Sequence, residues 1–261
     1  MGLDHTAVTE AVRSWYTGPT PELGISAVEA PYGFLMSSDR LDLRRLVLTA
    51  DTPSAAADAV AAATMFFGTI EFELWIDDRV RAERLTAAVG TAGYLPVQDT
   101  VVLALLGAVR AGAGPPGLRI DDVTDVESLR AWATVKLQGF ADSEAPPRPE
   151  QLQSELVVRQ AEWPVCRYQL ARLDGEPVGI LGHYTGQDQM VFLLATRLPF
   201  RHRGIAQAML ACWQRQSEEA DVRSLLINCD DGGRAHALYR RLGFSTEVYW
   251  HRRYRVQPPA A

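Results

Sequence analysis

The chain has 261 residues, 47% of them apolar, and a formal net charge of −6. Domains usually run to about 100–200 residues, so this length fits two domains or one domain with a large extension, and the apolar content supports a sizeable core. An acidic surface repels phosphate backbones at long range and makes nucleic acid a poor partner, so none is expected.

In chain order, residues 1–16 are charged and lack the apolar core of a signal peptide. Residues 44–50 are β-like, 53–66 form an alanine-rich helix, and 70–76 form a strand in which Phe72 and Leu74 alternate with charge. A helix over 78–89 follows, and Gly93-Tyr94 leads into a long strand over 97–106. The longest apolar stretch, 100–110, is too short to span a bilayer, so no membrane partner is expected. Small residues and paired prolines over 110–117 disfavour helix and strand and mark a linker.

Beyond the linker, 117–122 reads as a strand. Residues 125–140 have helical spacing of Val126, Leu129, Trp132 and Val135, and 150–161 form a second helix with Leu152, Leu156 and Val157 on one face. The proline-rich stretch 141–149 is the loop between them. Strands over 165–173 and 177–184 flank Asp174-Gly175, a hairpin signal, and a turn over 186–189 precedes the apolar run 190–195. A helix over 203–219, a strand over 224–229, a helix over 234–242 stopped by Gly243, and a strand over 244–254 complete the order β-α-α-β-β-β-α-β-α-β, with a frayed tail at 258–261.

The connection after 190–195 carries the chemistry. It is a strand, a short turn through Arg201-His202-Arg203-Gly204, and a helix opening with Ile205, Ala206 and Gln207. A helix start exposes unpaired N–H groups and the positive end of the helix dipole, which together form an anion site. Gly204 and Ala206 allow close approach of a diphosphate, and Arg201 and Arg203 add positive charge.

This segment resembles motif A of the GCN5-related N-acetyltransferases (GNAT), with Arg201-x-x-Gly204-x-Ala206 standing for [Arg/Gln]-x-x-Gly-x-[Gly/Ala]. Ala235-His236-Ala237-Leu238-Tyr239-Arg240-Arg241-Leu242-Gly243-Phe244 is similar to that family's Ala-x-x-Leu-Tyr-x-x-x-Gly-Phe, and the resemblance covers about 117–254. It implies an α/β fold with a mixed, twisted sheet flanked by helices, and acetyl-CoA as co-substrate. It further implies that the strands over 190–195 and 224–229 are parallel neighbours that splay apart, that the pantetheine arm enters this gap and meets Leu194, Ala195 and Thr196 along with the thioester, that the amides of His202 to Gln207 hold the diphosphate, and that Tyr239 protonates the departing thiolate. Two positions depart from the family pattern: Gly232 where it often has Asn, and Ile227 where some members have a Glu base. The group that takes the amine's proton is left open among Asp188, His183, Asp230 and a water chain.

The expected reaction is acetyl transfer to a primary amine, first of a small molecule, then of a protein N-terminus or lysine. An acetyl-CoA sensor without turnover and an aminoacyl-tRNA-using transferase are the rival readings. Cys166, Cys212 and Cys229 lack metal-ligand spacing, so no metal is expected and the thiols fit a reducing, cytoplasmic setting. Oligomeric state is left open, a homodimer included.

The N-terminal half repeats the element order of the second half of the acetyltransferase fold. Gly93-Tyr94 falls where Gly243-Phe244 falls, Val89 replaces Tyr239, and Asp51-Thr52-Pro53-Ser54-Ala55 lacks the motif-A glycines. The expected division is therefore a degenerate acetyltransferase-like domain over 1–112 and a catalytic domain over 113–261.

Overall fold

The computed structural model describes residues 4–17, 20–30, 32–39, 41–110, 112 and 114–256. The tail expected at 258–261, the first three residues, and positions 111 and 113 of the linker lie outside the described residues.

The N-terminal half contains α1 (His5–Thr17), β1 (Ser26–Ala30), β2 (Gly33–Ser38), β3 (Leu43–Leu48), α2 (Pro53–Phe67), β4 (Glu73–Ile76), α3 (Arg79–Thr91) and β5 (Tyr94–Leu105). The C-terminal half contains β6 (Leu118–Asp122), α4 (Val126–Phe140), α5 (Pro149–Glu162), β7 (Cys166–Leu173), β8 (Glu176–Tyr184), β9 (Asp188–Thr196), α6 (Ile205–Glu219), β10 (Ser224–Asp230), α7 (Arg234–Leu242) and β11 (Phe244–Val256). The C-terminal order is the one read from the sequence. Sequence reasoning did not find α1, β1 and β2. The chain folds into two compact units, one of 103–228 with 234–246, the other of 4–102 with 229–233 and 247–256. Each is an α/β structure built on mixed strand pairing.

In the C-terminal unit the strand order is β10-β9-β8-β7-β6. β6 to β9 pair antiparallel in succession, whereas β9 and β10 are parallel. The β7–β8 hairpin turns through Asp174 (φ 51°) and Gly175 (φ 88°), the two positive φ values that a tight hairpin demands. The two faces of β8 meet different helices. A Cβ added at Gly179 would lie 3.0 Å from Ile205 and 3.2 Å from Met209 of α6, whereas one at Gly182 would meet Tyr168 and Phe192 on the other face. On that second face α4 and α5 enclose Leu129, Trp132, Val135, Leu156, Cys166, Tyr168 and Ile180. Trp132 is fully buried, and its indole N–H donates to the Leu181 carbonyl at 3.1 Å. Asp125 and Ser128 close the start of α4 as a reciprocal capping box. α5 departs from expectation, because Val157 is 51% exposed and the helix turns a charged stripe inward, described below.

In the N-terminal unit the order is β1-β2-β3-β4-β11, with β3 and β4 parallel and β4 and β11 antiparallel. Leu74 and Ile76 on β4 are fully buried. Thr52 accepts from the Ala55 amide to cap α2, Pro53 occupies its first turn, and Asp78 accepts from the Arg81 amide to cap α3. His251 is buried against Trp75, stacked at 4.1 Å between ring centroids.

Two buried imidazoles make stability depend on pH. Burial lowers His183 to about 4, against the pull of the Tyr184 carbonyl, and burial with Arg45 and Arg253 lowers His251 to about 3. Both stay neutral in the folded chain at pH values where an unfolded imidazole, with a pKa of about 6.5, takes up a proton. The unfolded state then binds more protons, so stability falls as pH drops from about 6.5 toward 4, by about 1.4 kcal/mol per pH unit for each histidine. Calorimetric melting between pH 7 and 4.5 should show this decline, and His183→Gln should make it shallower.

Candidate active site

The ladder between β9 and β10 runs from Asp188/Ser224 to Val191/Ile227 and stops, although β9 continues to Thr196 and β10 to Asp230. β9 meanwhile keeps its pairing with β8 as far as Thr196/Gly179. The register with β8 slips at the same place: Gly182 opposes Leu193 and His183 opposes Val191, so Phe192 is an extra residue in a β-bulge. The bulge turns both Phe192 and Leu193 toward the α4–α5 core. Phe192, Leu193, Leu194, Ala195 and Thr196 are all half-buried, although their strand lies inside the sheet order. β9 therefore keeps an edge that is not paired with β10 at Leu194, Ala195 and Thr196.

The chain leaves this edge through a short 3-10 turn, Leu198–Phe200, and enters α6 with His202 at φ 62° and Gly204 at φ 80°. A Cβ at Gly204 would meet nothing closer than 3.5 Å, so the backbone angle, not crowding, selects glycine here. Gly204 is the N-cap of α6 and no side chain closes that end. The first helical bond is from the Ala208 amide to the Gly204 carbonyl at 2.9 Å, so the amides of Ile205, Ala206 and Gln207 precede the hydrogen-bond ladder. α2 presents the opposite case, with a threonine oxygen on its amides and a proline in its first turn.

The two arginines of the turn differ. Arg203 is exposed, with its guanidinium 5.4 Å from the Phe200 ring centroid. Arg201 is bound into the protein. It donates to the Thr196 carbonyl at 3.1 Å and the Gly139 carbonyl at 2.6 Å, and pairs with Asp142 at 2.5 Å. Arg197 pairs with Glu144 and, at 2.7 Å, with Glu176. Two ion pairs thus tie the α4–α5 loop to the turn that begins α6, and the sequence did not reveal this bracing.

Tyr239 lies on α7, 5% exposed, with its ring edge-on to Phe244 at 6.2 Å. Asp188 stands at the first residue of β9, eight residues before Thr196 and so about 26 Å away along a strand rising about 3.3 Å per residue. Arg223 and the Ser224 hydroxyl both bond its carboxylate, which makes it an anchor of the β9–β10 ladder and removes it from the candidate bases. His183 packs near Trp213 with Nδ1 3.1 Å from the Tyr184 carbonyl, and a pKa of about 4 makes it a weak base near neutrality. Asp230 is exposed and bonded by Gln98. Burial pushes the Cys229 thiol up to about 12, in line with a packing role. Among the described residues, no group of three or more His, Cys, Asp or Glu side chains is placed to hold a metal ion, and no helix is long and apolar enough to cross a membrane.

The acetyltransferase (GNAT) family model matches residues 137–244, which takes in the bulge, the turn, the start of α6 and Tyr239. This segment is a GNAT acetyltransferase domain. Among solved structures, a GCN5-related N-acetyltransferase from Kribbella flavida is similar with a TM-score of 0.68 at 17% identity, over 100% of this chain and 97% of that one. A GCN5-related N-acetyltransferase from Sphaerobacter thermophilus gives 0.63 at 17% identity, over 96% and 86%. A tandem GNAT protein from the clavulanic acid biosynthesis pathway gives 0.57 at 14% identity, over 97% and 89%. At these identities the likeness shows the fold, and it extends through the N-terminal half. No curated protein matches the chain.

Within the GNAT domain the Arg201 brace is testable on its own. Arg201→Ala removes hydrogen bonds to two carbonyls and one carboxylate, and the side chain is 30% exposed, so the loss should be about 1–2 kcal/mol. Urea unfolding would measure it, and limited proteolysis should become faster within 141–148.

Proposed function

We propose that the protein transfers an acetyl group from acetyl-CoA to a primary amine, and that the GNAT domain within 113–261 carries this activity. The observation that supports this most is the junction of two features on one chain segment. The parted β9–β10 ladder opens a slot for a narrow, hydrogen-bonding arm, and the uncapped start of α6 lies at its end, ready for an anion. Coenzyme A is an arm of this kind joined to a diphosphate, and its acetyl thioester supplies an activated acyl group.

The residues fit these parts. The amides of His202 to Gln207, with Arg203 beside them, would hold the diphosphate. The free edge of Leu194 and Thr196 would pair with the arm's amides, and a backbone N–H at or just after the bulge, near Leu194 or Ala195, would face the thioester oxygen. Such a donor stabilises charge developing on that oxygen by about 3–4 kcal/mol. Tyr239 Oη would return a proton to the sulfur. Arg201 would serve by holding the turn rather than by meeting phosphate. The acceptor class that suits an acidic chain is a small cationic amine, met in the cytoplasm. We assign the N-terminal half an accessory role, because Thr52 and Pro53 occupy the helix start that Gly204 leaves open.

Titration calorimetry with acetyl-CoA tests the proposal. Wild type should bind one equivalent per chain, and Gly204→Glu, which puts a carboxylate at the diphosphate position, should bind none. Two equivalents would overturn the accessory role of the N-terminal half, and no binding would overturn the acetyl-CoA reading. With an amine found by screening for CoA release, Tyr239→Phe should lower the rate by about 10²-fold or more near neutral pH, whereas binding without release for any amine would turn the reading to a sensor.

A further inference from the structure

Inside the GNAT domain, α5 carries Glu155, Arg159 and Glu162 toward the sheet, at positions where a helix of this kind normally presents apolar side chains. Glu155 meets Lys136 of α4 at 2.6 Å, and Arg159 Nε lies 2.8 Å from Glu155 Oε1, off the line of a hydrogen bond. Arg159 also pairs with Glu162, which accepts from the Tyr168 hydroxyl at 2.6 Å. Glu162 is 7% exposed and Tyr168 1%. Apolar residues of similar volume in place of such a buried network are often no less stable, so stability alone does not account for it.

The network closes on one side chain. The Arg159 guanidinium lies 5.9 Å from the Phe192 ring centroid, within cation–π range, and the Tyr168 ring stands edge-on to Phe192 at 6.5 Å. Tyr184 completes the enclosure at 4.6 Å. Gly182 leaves room for these rings, since a Cβ there would come within 3.1 Å of Tyr168 and 3.4 Å of Phe192. Phe192 is the extra residue of the bulge, at the point where β9 leaves β10.

We propose that Arg159, Glu162 and Tyr168 are positioning residues that set the backbone of the Phe192 bulge by fixing the Phe192 ring, and so aim the amide that meets the thioester oxygen. This rests on the acetyl-CoA reading above. The Tyr168–Glu162 hydrogen bond and the Glu162–Arg159 ion pair hold the two groups that flank the ring, and a rotated ring would carry the bulge's peptide planes with it.

The test uses acetyl-CoA labelled with ¹³C at its carbonyl, bound to the full chain and observed by NMR and by isotope-edited infrared spectroscopy. In wild type the bound carbonyl should shift from its free position, as expected for an oxygen accepting a hydrogen bond. Tyr168→Phe and Glu162→Gln should bind acetyl-CoA within about threefold of wild type yet lose most of that shift, and the exposed control Val157→Ala should keep it. Breaking one partner of a buried pair can unfold a domain, so Arg159→Met combined with Glu162→Gln, which removes both charges together, should give the same loss in a protein that melts as a folded domain. A carbonyl signal unaltered in these folded variants overturns the inference alone. Wild type that fails to bind acetyl-CoA overturns the cofactor reading and this inference with it.

Discussion

Parallel strands β9 and β10 stay bonded for four residue pairs and then part, and the backbone groups this leaves must find other partners. Much of the C-terminal unit can be understood from that constraint. The bulge at Phe192 bends β9 without breaking its pairing to β8, so one strand satisfies one neighbour while abandoning the other. The free edge then runs directly into the turn that starts α6, so the edge and the uncapped helix end are successive parts of one chain segment. Arg201 and Arg197 hold that segment to the α4–α5 loop, which keeps a strained turn, with His202 at φ 62°, in place.

The N-terminal unit shows the same strand-turn-helix-strand arrangement without this opening. β3 and β4 are parallel, like β9 and β10, but the ladder from Arg45/Glu73 to Leu48/Ile76 uses the whole of β4, so no edge is left free. The following helix is closed by the Thr52 side chain and by a proline in its first turn. Both ends of the slot are thus filled by the protein itself. The fold survives because its core needs the strands and helices, whereas the site needs their imperfections, and those are what the N-terminal half lacks.

What could be read from the sequence follows the same division. Periodicity and turn chemistry revealed the C-terminal element order, since Asp174-Gly175 and Gly204 mark backbone angles that few residues adopt. The parting of β9 from β10 was legible only through the family resemblance, which implied parallel strands that splay apart, and not from the residues of either strand. The run from Met190 to Ala195 is uniformly apolar, and a bulge depends on how two strands register, which neither strand encodes alone. Arg201 read as a phosphate-facing charge because motif spacing cannot show that Gly139 and Asp142, some sixty residues earlier, meet its guanidinium. Asp188 entered the candidate bases by residue type and left by position. α1, β1 and β2 were missed because the turns between them, with Gly24 and Tyr32 both at positive φ, break the chain into pieces too short to show a period.

In the proposed reading, recognition of the cofactor rests on backbone groups: the amides at the start of α6, the free edge of β9 and the peptide planes of the bulge. Side chains enter chiefly as supports, with Arg201 under the turn and Phe192 under the bulge. Backbone recognition of this kind tolerates many sequences that keep the geometry, and the fold itself is shared along nearly the entire chain at identities of 14–17%. The same property makes the supports hard to find by motif. A residue that fixes a peptide plane can be replaced by a different residue anchored elsewhere. The buried charges of α5, which we propose fix the bulge through Phe192, would be such a support, placed where an ordinary core would have asked only for leucines.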